Sequence, residues 1–257
     1  MLYIVSNNNN QCKNATTMKI KSKYSPNFNK KNGKKRAIKF IILHYTGMQS
    51  ERESIQRLCD SKSKVSCHYL INRKGSIIQM VDEKNTAWHA GKSKWRNFIN
   101  LNNRSIGIEL LNKGHQFGYE NFSKKQISQL ILLCKSLIKK YKIKKTNILG
   151  HSDIAPLRKK DPGEKFPWGK LNKMKLGIWH KPFHYKMKEL DKKKIQELFF
   201  KNLYKIGYRY FDKKRRVSKD SIIVKAFQSK FLPNKVNGKV DLKTYIISHF
   251  LANILKN

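Results

Sequence analysis

The sequence predicts an α/β fold, a mixed central β-sheet flanked by helices, followed by a small C-terminal three-helix domain. Three observations carry this. Short apolar runs of strand length interleave with segments of helical periodicity between residues 37 and 185. Two of those runs are joined by a tight turn, which forbids a purely parallel sheet. Beyond residue 190, three consecutive segments carry apolar side chains at three- and four-residue steps.

The elements follow in order. Residues 1–36 are polar and rich in Asn and Lys, with Pro26 and Gly33 and no periodicity, and read as a mobile tail. Phe40-Ile41-Ile42-Leu43 is apolar without interruption, the mark of a strand covered on both faces. Residues 51–60 have the texture of a short helix. Cys67–Ile71 and Ile77–Val81 form a hairpin about Arg73-Lys74-Gly75, with Gly75 supplying the turn. Ser105–Leu111 is a second buried strand, interrupted by Glu109. Ser123 and Gln126 have the form of a capping box and open a helix carrying Ile127, Leu130, Ile131, Cys134, Ile138 and Tyr141 on one face. Asn147–Gly150 is a last strand, and residues 156–167 are a Gly- and Pro-studded loop. The larger domain implied by this order spans residues 37–185, and the boundary falls near 183–190. Residues 190–257 hold helices over 191–206, 219–231 and a third segment capped by Asp241.

Composition narrows the function. The chain has 257 residues with 57 Lys+Arg against 16 Asp+Glu, a formal charge of +41. Such a charge attracts polyanions. Lys, Asn and Ile are nevertheless abundant together along the whole chain, as an A/T-biased coding sequence produces, and no helix-turn-helix, zinc finger or RNA-binding signature is present. A specific nucleic-acid partner is therefore not expected. No window has the ~18 apolar residues of a transmembrane segment. The five apolar residues that open the sequence, Met1–Val5, are too few for the apolar region of a secretory signal. The four cysteines, Cys12, Cys59, Cys67 and Cys134, are spaced by 47, 8 and 67 and make no CxxC motif. A Cys59–Cys67 disulfide is open, and Cys134 reads as a packed thiol.

His44 closes the run Phe40–Leu43, and His151 closes Ile148-Leu149-Gly150, so each imidazole stands at the end of a buried strand, where open α/β sheets bind ligands. Asp161 follows His151 by ten residues in a loop able to fold back. Two imidazoles and one carboxylate, with a fourth position open, are the ligand set of a catalytic zinc site. Glu109 is out of place for packing, since burying an unpaired carboxylate costs several kcal/mol. It faces a cleft or meets a cation; beside a metal it can take the proton of an attacking water.

These residues sit in stretches that resemble the zinc-dependent N-acetylmuramoyl-L-alanine amidases of the type 2 amidase group, whose fold is shared by peptidoglycan recognition proteins. The stretches are Ile42-Leu43-His44-Tyr45-Thr46, Val65–Ile71, Ala87-Trp88-His89-Ala90-Gly91, Asn103–Glu109 and Gly150–Gly163, in family order over roughly residues 38–175. The resemblance implies one Zn2+ per chain on His44, His151 and Asp161, with Glu109 as general base and Lys159 as the cation that stabilises the oxyanion. It places His89 near the substrate cleft, to bind substrate or to brace a metal ligand rather than to be a fourth ligand, and Arg158 is a candidate for holding a peptide carboxylate. His68 reads as structural. Residues 190–257 resemble, more loosely, a three-helix peptidoglycan-binding domain through Ala226-Phe227-Gln228 and Val236–Asp241. The implied partner is peptidoglycan or a muropeptide, and the implied reaction is hydrolysis of the amide between the lactyl group of N-acetylmuramic acid and L-Ala. The alternative is a muropeptide-binding protein without activity, although such relatives typically lose a zinc ligand. A wall enzyme belongs in the envelope or periplasm, whereas the lack of a visible signal points to the cytoplasm. Oligomeric state is not legible.

Overall fold

The structure, a computed structural model, describes residues 2–3, 18–32, 35–181 and 191–255. Along the chain the strands are β1 (Leu2–Tyr3), β2 (Met18–Ser22), β3 (Phe28–Asn29), β4 (Phe40–Tyr45), β5 (Tyr69–Ile71), β6 (Ile77–Gln79), β7 (Thr86–Ala87), β8 (Lys94–Trp95), β9 (Phe98–Ile99), β10 (Ser105–Leu110) and β11 (Ile148–Gly150). The helices are α1 (Glu51–Cys59), α2 (Lys124–Tyr141), α3 (His151–Ile154), α4 (Trp168–Lys173), α5 (Lys192–Ile206), α6 (Asp220–Phe231) and α7 (Leu242–Ile254). Seven strands form one sheet in the order β1-β2-β6-β5-β10-β4-β11. It is mixed, as predicted: β10 is parallel to both β4 and β5, while β5 and β6 form the antiparallel hairpin. Two compact units divide the chain, residues Met1–His89 with Asn102–Ile148, and Ala90–Leu101 with Leu149–Asn257.

In the first unit the continuous apolar runs become the central strands. Ile41, Ile42 and Leu43 on β4 and Ile106, Ile108 and Leu110 on β10 are fully buried, as strands with both faces covered must be. Helix α2 buries Ile127, Leu130, Leu133, Cys134 and Leu137. Its Ser123 cap accepts from the Gln126 N–H at 3.1 Å, but the capping box is only half made. The Gln126 amide instead donates to the Ile71 and Leu111 carbonyls, at 2.9 and 3.1 Å, stitching the helix to the sheet. A buried carbonyl is costlier to leave unpaired than one helix-end N–H that water reaches.

The tail expected over residues 1–36 is not structureless in its described part. Met18-Lys19-Ile20-Lys21 alternates apolar and charged side chains, and β2 pairs in parallel with β6. Cys59, Cys67 and Cys134 are free thiols, so no Cys59–Cys67 disulfide forms, and burial pushes Cys134 up to about 12. Cys12 and the boundary expected near 183–190 lie outside the described residues. No helix among those described is long and apolar enough to cross a membrane.

His68, just before β5, is fully buried: its Nδ1 accepts from the Gly107 N–H at 3.0 Å, which leaves Nε2–H to donate to the Asn85 carbonyl at 3.2 Å. Burial, and then the charge of Arg36, pull its pKa from 6.5 to about 3. The unfolded chain therefore takes up a proton near pH 6.5 that the folded chain refuses until about pH 3. Stability contributed here is complete above that upper value and is lost as pH falls, by up to about 1.4 kcal/mol per unit. Urea midpoints measured from pH 7 down to pH 4 are expected to show this slope (about one proton), and His68→Gln to flatten it.

The second unit carries the hairpin β8–β9, the short helices α3 and α4 that the loop expected over 156–167 and its flanks did not anticipate, and the three predicted helices α5–α7. Phe199, Leu203, Tyr208, Phe227 and Phe231 are its buried core. Gln228 of the Ala-Phe-Gln stretch is fully buried; its Oε1 accepts from the N–H groups of Asn237 and Gly238, and its Nε2 donates to the Lys239 carbonyl at 2.9 Å. That stretch thus fixes the turn before α7, whose cap Asp241 accepts from the Thr244 N–H.

Candidate active site

The first unit supplies a layer of histidines and a carboxylate. His44 stands near the end of β4, 1% exposed, and the parallel register sets Glu109 of β10 directly opposite it. Neighbours in register project to the same face of a sheet, so the Glu109 carboxylate, half-buried, rises beside the imidazole. Behind His44 lies His89, whose Nδ1 is 3.1 Å from His44 Nε2 and whose Nε2 is 3.2 Å from Ser105 Oγ. If His44 Nε2–H donates to His89, His44 Nδ1 is left as an acceptor, and that is the arrangement a metal-binding imidazole takes. The rings of His44, His89 and His68 meet edge to face at 5.2 and 5.7 Å. Gly107 makes room for this layer: a Cβ there would lie 2.3 Å from the His89 ring.

His89, expected at the substrate cleft, is thus 8% exposed with both ring nitrogens at hydrogen-bond distance from His44 and Ser105. That position suits a residue that orients His44. The Cys67 thiol is pushed well up by burial and then by the nearby Glu109 carboxylate, so it is no nucleophile.

In the second unit, His151 is the first residue of α3, and Asp161 returns to it: the Ser152 N–H donates to the Asp161 carbonyl at 2.9 Å, and Asp161 Oδ2 lies 3.1 Å from His151 Nδ1. Gly150 permits that return, because a Cβ there would meet Pro162 at 2.7 Å. His151 Nε2 lies 3.2 Å from the Ala90 carbonyl, and donation to it leaves Nδ1 as the acceptor, as on His44. Arg158 Nη2 donates to the carbonyls of Ala90 and Lys92 at 2.7 and 3.1 Å, bracing residues 90–92 beside His151. Lys159 is exposed, two residues before Asp161.

Asp153 braces the same turn. It accepts from the Gly150 N–H at 2.8 Å, from the Tyr208 hydroxyl at 2.6 Å and from the Lys230 ammonium at 2.6 Å. Burial, then Asp153, raises the Tyr208 pKa well above its ordinary value, so the phenol stays a donor. Tyr208 and Lys230 were not singled out from sequence as site residues. The available signal was a lysine on the apolar stripe of α6, between Phe227 and Phe231.

His44, His151 and Asp161 form one buried group whose candidate ligand atoms all lie within 4.8 Å of one another. Two imidazoles and a carboxylate at that spacing, each imidazole having its second nitrogen engaged, fit a divalent metal ion. Residues 34–164 match the family described as N-acetylmuramoyl-L-alanine amidase. The chain belongs to this amidase family. Among its relatives, the N-acetylmuramoyl-L-alanine amidase AmiD of Escherichia coli K12 is 36% identical over 229 residues, 83% of this chain and 82% of that protein. The E. coli AmiD structure, solved with the substrate anhydro-N-acetylmuramic acid-L-Ala-D-γ-Glu-L-Lys, superposes with a TM-score of 0.74 at 32% identity, covering 89% of this chain and 98% of that one. AmpDh3 of Pseudomonas aeruginosa in complex with anhydromuramic pentapeptide gives a TM-score of 0.72 at 27% identity, covering 89% and 96%. The amidase fold of these relatives is the mixed sheet and helices described above.

Proposed function

We propose that this amidase is zinc-dependent and hydrolyses the amide between the lactyl group of N-acetylmuramic acid and L-Ala in peptidoglycan or muropeptides. The observation that carries the proposal is the buried His44–His151–Asp161 group with Glu109 in register beside His44. Two neutral imidazoles and one carboxylate suit zinc and leave a coordination position open. Zinc held there supplies Lewis acidity toward the attacking water and the scissile carbonyl.

The chain's own residues do the rest. Glu109 takes the proton of the attacking water as the new C–O bond forms, then passes it to the amine that departs when the C–N bond breaks. Lys159 offers an ammonium to the oxyanion, the kind of preorganised charge that contributes most where negative charge develops. His89 and the Ala90 carbonyl hold the two imidazoles in the orientation that leaves an acceptor nitrogen on each. Arg158, through the part of its guanidinium not spent on Ala90 and Lys92, is the candidate anchor for a stem-peptide carboxylate. Residues 190–257 are assigned to holding wall polymer; an enzyme that acts on intact polymer would work in the cell envelope, and one confined to soluble muropeptides would work in the cytoplasm.

The substrate bound to AmiD, an anhydromuramyl tripeptide, and the anhydromuramic pentapeptide bound to AmpDh3 support this substrate class. Mass spectrometry of products from intact sacculi and from soluble muropeptides, with and without a chelator, tests it. Free stem peptide is expected, abolished by chelation and restored by zinc. Binding of wall fragments to the zinc-loaded protein without any product would instead make it a muropeptide receptor.

A further inference from the structure

The helices at the end of the second unit reach back to the turn that carries His151. Lys230 lies on α6 beside the buried Phe227 and Phe231, its side chain is 4% exposed, and its ammonium stands 4.0 Å over the Trp168 ring while bonding Asp153 Oδ2. Tyr208, directly after α5, is fully buried and donates to the other oxygen, Oδ1. The same carboxylate accepts from the Gly150 N–H, and the next residue is the ligand candidate His151. Burying an ammonium and a carboxylate together costs several kcal/mol in desolvation, and well-packed apolar side chains stabilise such a position equally well. Stability alone does not account for these residues. What apolar side chains do not provide is direction: two donors fix both oxygens of the group that caps α3.

We propose that Lys230 and Tyr208 are positioning residues of the metal site, setting the orientation of His151 through Asp153, so that the C-terminal helices tune metal affinity as well as any hold on wall polymer. The inference rests on the metal-dependent reading above. Its test is zinc affinity of the full chain, by competition with a chromophoric chelator, and the visible absorption of the cobalt-substituted protein. Tyr208→Phe keeps the ring against Trp95 and removes one donor. Lys230→Met combined with Asp153→Asn removes the ion pair without stranding a buried charge. Both variants are expected to bind zinc about tenfold more weakly, with a shifted cobalt spectrum. If the double variant does not fold, Tyr208→Phe decides alone. Variants less stable than the parent but with its zinc affinity and cobalt spectrum would overturn the inference and leave a purely structural brace. A parent protein that takes up no zinc would overturn the metal reading itself, and this inference with it.

Discussion

Replacing Glu109 by Gln is expected to lower kcat about a thousandfold, within the usual range for a lost general base, while KM and zinc occupancy stay near those of the parent. The geometry gives the reason. Glu109 pairs with His44 across the parallel β4–β10 ladder and is half-buried, so its carboxylate stands next to the ligand group without belonging to it. Gln preserves the volume and the strand but cannot accept a proton. Steady-state kinetics on a soluble muropeptide, with metal content measured on the same sample, separates loss of the base from loss of the metal. Full turnover by the zinc-loaded Gln variant would remove Glu109 from the mechanism.

Replacing Gly107 by Ala is the smallest substitution with a large expected effect. The added methyl would sit 2.3 Å from His89 Cγ and 2.6 Å from its Cδ2 and Nδ1. The backbone has little room to yield, because β10 is hydrogen-bonded between β5 and β4. The His89 ring cannot swing aside without leaving both His44 and Ser105. Overpacking at so rigid a point is expected to cost on the order of 3 kcal/mol, and a displaced His89 to weaken zinc binding about tenfold. Urea denaturation and chelator competition measure the two effects. A variant with unchanged stability and affinity would show that the histidine layer repacks freely.

Much of this was legible without coordinates. Apolar runs, unbroken in β4 and broken by Glu109 in β10, gave those strands, three- and four-residue periodicity gave α2 and α5–α7, and Ser123 and Asp241 marked helix starts, because these signals come from each segment's own pattern. His44 and His151 were conspicuous for closing buried strands, and Glu109 for interrupting one. Strand β2 was missed: its alternation is short, and its stability comes from pairing with β6, more than fifty residues away. For His89 the sequence left open whether it meets substrate or braces a ligand, since the ring's direction depends on the space above Gly107.

The chain's own order of residues determined the elements, their caps and the stock of metal-binding and proton-transferring groups. Only the folded structure decided which of these meet. Register placed Glu109 opposite His44, and packing set Lys230 against Asp153, 77 residues away. The physical reason is that a local pattern reports a segment's conformation and its apolar face. A partner remote in sequence is selected by the free energy of burying both groups together, and that quantity belongs to the assembled core.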